Sequence, residues 1–239
     1  LKPFVPLEAY HTFLRSQNLF EPKVAQLLGV LNTSELPSDN LFFLRQSVDR
    51  LPTSTLGFQL AREYALEHFE HNEPTQALDF LDRKIRSLSD KNLEEKTKFL
   101  LLKALLEKQA HKPTVNSVHE VLSLDTAQIQ QQKLALKILS SDEKFWNNQA
   151  YFNRIDDFFK ARPLHPLNEN YWIIKGKFLL LNGQYDTAKV FMENQLQKFS
   201  VPSLKSRILY LLAYSAFLKN PPAYRLAADY IKEASATTP

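Results

Sequence analysis

The chain has 239 residues, 44% hydrophobic and 23% charged, with a net charge of +4, thirteen prolines, four glycines and no cysteine. That apolar content can bury a core and excludes a disordered chain, and the missing cysteine excludes disulfides, thiol nucleophiles and thiolate metal sites. So few glycines exclude folds built on positive-φ turns and phosphate loops, whereas Leu, Ala, Lys, Gln and Glu favour helix.

In chain order, Leu7, Tyr10, Phe13 and Leu14 predict an amphipathic helix over 6–18. Val24, Leu27, Leu28 and Leu31 predict another over 22–32, and Leu41, Phe42, Leu44 and Val48 a third over 39–51. Beyond them the apolar period of about 3.6 residues continues. It predicts helices over 55–71, 74–88, 93–110, 114–123, 126–140, 146–162, 168–182, 185–199, 203–219 and 222–235. Pro22, Pro52, Pro74, Pro113, Pro163, Pro202 and Pro221–Pro222 fall at helix starts or between helices. With short connections, sequential helices are expected to pack antiparallel. The fold class is all-α, an antiparallel stack of about 12–13 helices. Residues 1–54 read as an atypical N-terminal helical cap, 55–235 as the main domain and 236–239 as the end of a polar tail starting at Ser235.

No apolar run reaches the roughly 18–20 residues of a membrane span, and no signal peptide is visible. The chain opens on Leu1 and its one methionine is Met192, so a start upstream is expected and the chain reads as a processed or excised piece. A cysteine-free chain suits the cytosol and the bacterial periplasm alike. The charge is uneven. Residues 1–120 carry a net −1 and residues 121–239 a net +5. A basic surplus of this kind keeps a surface solvated and favours an acidic partner.

No motif points to catalysis. Gly29, Gly57, Gly176 and Gly183 are isolated, so no phosphate loop exists, and neither Gly-x-Ser-x-Gly nor His-Glu-x-x-His occurs. His68 and His71, with Glu67, could share a helix face, but a metal needs three or four convergent ligands. Glu94–Glu95 and Asp156–Asp157 point about 100° apart on a helix and read as solvated surface. Arg83-Lys84-Ile85-Arg86 reads as a basic helix end that complements the dipole. Asn32-Thr33-Ser34 is a sequon of consequence only in a secreted eukaryotic protein. Neither a metal nor a cofactor is expected.

Residues 168–202 carry the most specific pattern. Trp172 is followed by Gly176, Leu179, Gly183, Tyr185, Ala188 and Met192 at offsets of 4, 7, 11, 13, 16 and 20. This spacing resembles the tetratricopeptide repeat, a helix–turn–helix unit of about 34 residues. Ala65, Ala77 and Leu81 copy the Gly176, Ala188, Met192 spacing. Ala104, Val118 and Leu122, and then Ala213, Ala227, Ile231 and Ala234, follow it with two extra residues at the turn. The 126–162 pair is diverged, with Ala135 as its first small position and Tyr151, Ile155 and Phe159 on its second helix.

The resemblance implies a solenoid of helix pairs, a tetratricopeptide-like superhelix in which Gly176 and Ala188 face each other and Trp172 packs between helices. It implies no chemistry but a binding surface on the first helix of each pair, at about positions 2, 5, 9 and 12. Counting from Trp172 gives Asn170, Ile173, Lys177 and Leu180; counting from Ala213 gives Arg207, Tyr210, Tyr214 and Phe217. Tyr and Arg are enriched at interaction hot spots, and a peptide with an acidic group and apolar side chains suits the stripe. The same residues could instead pack against a further helix of a longer chain. The Lys/Asn pairing with which chaperone-binding members hold a C-terminal carboxylate is missing. The function expected is a non-enzymatic scaffold or adaptor for another protein, within a larger protein or assembly such as bacterial envelope or motility machinery. The alternatives are a superhelical accessory domain of an enzyme whose catalytic part lies elsewhere, and an RNA-binding helical repeat. The last would need a repeated polar code, and none is present.

Overall fold

The computed structural model describes residues 44–45, 48–49, 53–124, 127–219 and 221–237, and these are helical with no strand among them. The helices expected over 6–18 and 22–32, and the sequon, lie outside the described residues. Of the third, Leu44, Arg45, Val48 and Asp49 are described and helical. The chain forms two compact units, divided between Ala127 and Gln128.

The first unit holds α1 (Thr55–Glu70), α2 (Pro74–Ser87), α3 (Leu93–Gln109) and α4 (Val115–Ser123). Ser54 caps α1, its side chain accepting from the Gly57 amide at 3.0 Å, and Pro74 opens α2, where a missing N–H costs nothing. Consecutive helices pack on one another, and α1 also touches α3. Ala65, Ala77, Leu81, Ala104 and Val118 have no exposed surface, so the small positions lie in the core. Glu95 is not the solvated carboxylate its neighbour Glu94 is. It accepts from the buried Arg62 on α1 at 2.5 Å and from Lys98 at 2.8 Å. Burial pushes its carboxyl up, but these cations outweigh burial and hold it below the ordinary carboxylate range.

The second unit holds α5 (Ile129–Ser140), α6 (Glu143–Trp146), α7 (Gln149–Lys160), α8 (Asn168–Leu181), α9 (Tyr185–Leu196), α10 (Pro202–Leu218) and α11 (Tyr224–Thr237). The helix expected over 146–162 is α7, starting at Gln149, and the unexpected short helix α6 precedes it, because Asp142 and Asn148 each cap a start. The Asp142 side chain accepts from the Lys144 amide, and that of Asn148 from the Ala150 and Tyr151 amides. Glu169, in the first turn of α8, accepts from the amides of Ser200 and Val201 just before α10. Helices α8 and α10 therefore start side by side, and α9 runs back between their ends. Ser206 near the start of α10 donates to the Ala234 carbonyl near the end of α11, so this pair is antiparallel too. Helix α8 contacts both α5 and α10 as well as its chain neighbours.

One turn recurs. Asn72, His111 and Gly183 follow α1, α3 and α8 with φ of 62°, 53° and 72°. Each is followed by an amide that reaches back to the fifth residue before it: Glu73 to His68, Lys112 to Glu107, Gln184 to Leu179. These are left-handed helix terminators, and Asn and His adopt that conformation more readily than most side chains. Two of the three turns thus do without glycine.

Two expectations need correction. Ile231 does not fill the α10–α11 groove. The buried stripe of α11 runs through Ala227, Tyr230 and Ala234, so Ile231, 100° on from Tyr230, is 47% exposed. The polar tail is shorter than expected, because α11 continues to Thr237 with the Ser235 and Thr237 hydroxyls bonded to carbonyls four residues back. The facing partner at Gly176 is also refined. A Cβ there would sit 2.8 Å from Met192 Sδ and 3.0 Å from its Cγ, so Met192 rather than Ala188 fills the space over the glycine.

Gly176→Leu should therefore destabilise the chain by about 1–3 kcal/mol through overpacking. Adding Met192→Ala should relieve part of the loss. Gly183→Ala meets no atom within 4 Å, yet its left-handed φ should still make it cost about 1–2 kcal/mol. Thermal melts check both, and a Gly176→Leu chain as stable as its parent would show that α8 and α9 part freely.

Candidate functional site

A cleft of about 510 Å³ opens in the second unit between α5, α6, α8 and α10. Lys133, Leu136 and Lys137 line it from α5, with Ser140 and Ser141 at the end of that helix. Asn170, Ile173, Ile174 and Lys177 come from α8, Trp146 from α6 and Arg207 from α10. Leu136, Ile173 and Ile174 are buried and form an apolar floor, while Lys133, Lys137, Lys177 and Arg207 are exposed.

Aromatic packing fixes the short helix α6. Phe145 lies 6.1 Å from Phe178 of α8, and Phe152 of α7 stacks on the same ring at 3.9 Å. The Trp146 indole donates to the Ser140 carbonyl at 3.1 Å, and the Asn182 amide donates to the Trp146 carbonyl at 3.3 Å. Lys177 Nζ then rests 4.4 Å from the centre of the Trp146 ring, a cation–π contact that orients the ammonium toward the cleft wall.

No carboxylate lines the cleft, and none of its four cations is ion-paired among the described residues. Several of the unit's acids are engaged elsewhere. Asp186 pairs with Lys219, Glu193 accepts from Tyr230, and Glu169 holds the amides before α10. Four cations from three helices in one concavity give a positive local potential.

Of the residues expected in the groove, Asn170, Ile173, Lys177 and Arg207 meet at this cleft. Tyr210, Tyr214 and Phe217 are 49%, 51% and 53% exposed and extend the Arg207 face along α10, with Phe217 in edge contact with Tyr224 at 5.9 Å. Leu180 is a correction. It is buried in the core with Ile208, Leu209 and Leu212, and Leu181, one turn on from Lys177, is the exposed residue on that side. Lys133, Lys137 and Trp146 were not anticipated. A count from Ala135 as the small position reaches Leu136, but the two lysines needed the packing of α5 against α8 to be known.

The other cavities fit less well. One of about 600 Å³ in the first unit mixes Arg45, Arg83 and Lys84 with Asp49 and Asp79. There His68 Nδ1 bonds Glu73 at 2.5 Å and its ring meets Tyr64 edge-on, while His71 Nδ1 faces the Glu67 carbonyl at 2.8 Å. The two histidines thus serve different partners, and among the described residues no three metal-ligating groups converge. Trp172 lies half-buried, edge-on to Phe199 at 5.4 Å, beside a cavity of about 340 Å³. In that cavity Asp156 is buried, unlike exposed Asp157, and accepts from Tyr171 and, at 2.7 Å each, from Lys175 and Lys160. Burial pushes the Asp156 carboxyl up, but these donors outweigh it and hold it below the ordinary range. The Tyr171 hydroxyl is pushed far up by burial and by Asp156. This cluster ties α7 to α8, and its charged groups are spent on one another.

Family models, characterised proteins and solved structures were compared with the chain, and none matches. Among the described residues no helix is long and apolar enough to cross a membrane.

The folded Asp156 ionises below its unfolded value of about 3.9. Its contribution is fully present above that value and is lost as the pH falls through the folded pKa. Asp156→Asn should cost about 1–3 kcal/mol near neutral pH by weakening three bonds, and should flatten the acid loss of stability below about pH 4. Urea midpoints in neutral and acidic buffer measure both effects, and identical pH dependence in the two proteins would show that Asp156 ionises as in the unfolded chain.

Proposed function

We propose that the chain is a non-enzymatic scaffold of tetratricopeptide-like helix pairs, which binds another protein on the exposed faces of α8 and α10 as part of a larger protein or assembly. The repeated left-handed turn at Asn72, His111 and Gly183 supports the repeat reading, as do the contacts of α8 with α5 and α10. Stacked first helices of this kind leave one face of each helix free to make a groove.

The observation that carries the binding reading is the row Arg207, Tyr210, Tyr214 and Phe217. Its three aromatic rings are about half exposed along one helix face, next to the cleft that holds Asn170 and Lys177. Contiguous exposed aromatics of this size mark interaction surfaces, and Tyr and Arg supply most hot-spot energy. Half-buried Glu95 and buried Asp156, by contrast, serve as cross-helix ties, which fits a scaffold.

Capture of partners with the full-length protein tests the reading. Tyr210→Ala should weaken binding by at least about 2 kcal/mol if the ring is an anchor. Lys177→Ala, a charge at the edge of the row, should chiefly alter association rate and salt dependence. A Tyr210→Ala/Tyr214→Ala chain that melts like its parent and holds its partner at full affinity would move the site off this face.

A further inference from the structure

We propose that the cleft between α5, α8 and α10 anchors an acidic segment of the protein partner, an extended stretch with two or more Asp or Glu side chains between apolar ones. The inference rests on the protein-binding reading and gives that partner its chemistry. Lys133 and Lys137 lie four residues apart on α5 and share a face, Lys177 faces them from α8, and Arg207 closes the set from α10. Four like charges in one concavity repel one another, and among the described residues no carboxylate lines the cleft to offset this. An anionic occupant relieves that repulsion. The floor of Leu136, Ile173 and Ile174 gives apolar side chains a surface to cover.

The geometry favours carboxylates over the other polyanions. Trp146, the aromatic ring among the described lining residues, is 8% exposed and has Lys177 across it, so the cleft itself offers no open ring face for a nucleic-acid base to stack on. Phosphopeptide sites rely on clustered arginines, and here three of the four cations are lysines, which act as point charges toward several separate anions. The contact of Lys177 with Trp146 fixes one ammonium before anything binds, which lowers the entropy lost on association.

A random dodecapeptide library selected on the full chain tests this, with the charge reversal Lys133→Glu/Lys137→Glu selected in parallel. Both lysines are exposed and without ion pairs among the described residues, so the reversed chain should fold, and a melt verifies it. If it does not, Lys177→Gln/Arg207→Gln replaces it. The expected result is enrichment of Asp and Glu on the parent. A selected acidic peptide should bind at least about tenfold more weakly to the reversed chain and weaken with added salt. Apolar peptides that ignore the reversal but are lost on Tyr210→Ala/Tyr214→Ala would overturn the acidic anchor and leave the protein-binding reading standing. Enrichment of phosphoserine peptides over their Glu counterparts, or oligouridylate binding more tightly than any selected peptide and lost on reversal, would also overturn it. A library that yields no binder would sink both readings.

Discussion

Paired helices in this chain approach closely where one of them carries hydrogen or a methyl group in place of a longer side chain. Ala65, Ala77, Ala104, Ala135, Gly176, Ala188, Ala213 and Ala227 all lie in the interior. At Gly176 the approach is so close that Met192 occupies the space a Cβ would need. Such packing leaves each helix little choice of orientation, because interiors tolerate neither a void nor an extra methylene without cost. Once α8 has turned Gly176, Leu179 and Leu180 inward, the geometry of 100° per residue puts Lys177 and Leu181 outward.

Charge follows the same division. The carboxylates that reach the interior tie helices together: Glu95 holds Arg62 across α1 and α3, and Asp156 holds Tyr171 and Lys175 across α7 and α8. A buried pair of this sort adds little net stability but specifies which helices meet, since the mispaired alternative strands a charge. Glu169 does comparable work at the α9–α10 joint, fixing two amides before α10 begins. In the basic half of the chain, the charged residues among the described lining of the cleft are all cations.

How much of this was legible follows from which forces are local. Helix existence was, because period, proline and caps act within a few residues: α2 begins at Pro74 and α10 at Pro202. The short helix α6 was legible in principle, since Asp142 and Asn148 are N-cap residue types, but four residues are too few to show an apolar period. The inward member of Asp156–Asp157 was not, because adjacent acids look alike until the partner helix is known. For the site, counting repeat positions placed Asn170, Lys177 and Arg207 together but misplaced Leu180 by one residue, a rotation of 100° that separates core from surface. Lys133 and Lys137 depend on which face of α5 meets α8, a tertiary fact.

The short helix α6 and the cleft coincide. Between α5 and α8 the chain has α6 and then α7, and the turn between them is held by Phe145 and Phe152, packed against Phe178 of α8. That aromatic cluster is buried throughout. Its effect is to fix Trp146, and through the cation–π contact Lys177, at the wall of the cleft. Regular stacking alone would give a groove whose walls repeat every unit and whose charge averages along its length. An irregular element pinned by three buried rings gives one position with its own shape and sign, and places where a sequence breaks its own pattern while remaining tightly packed are where function concentrates.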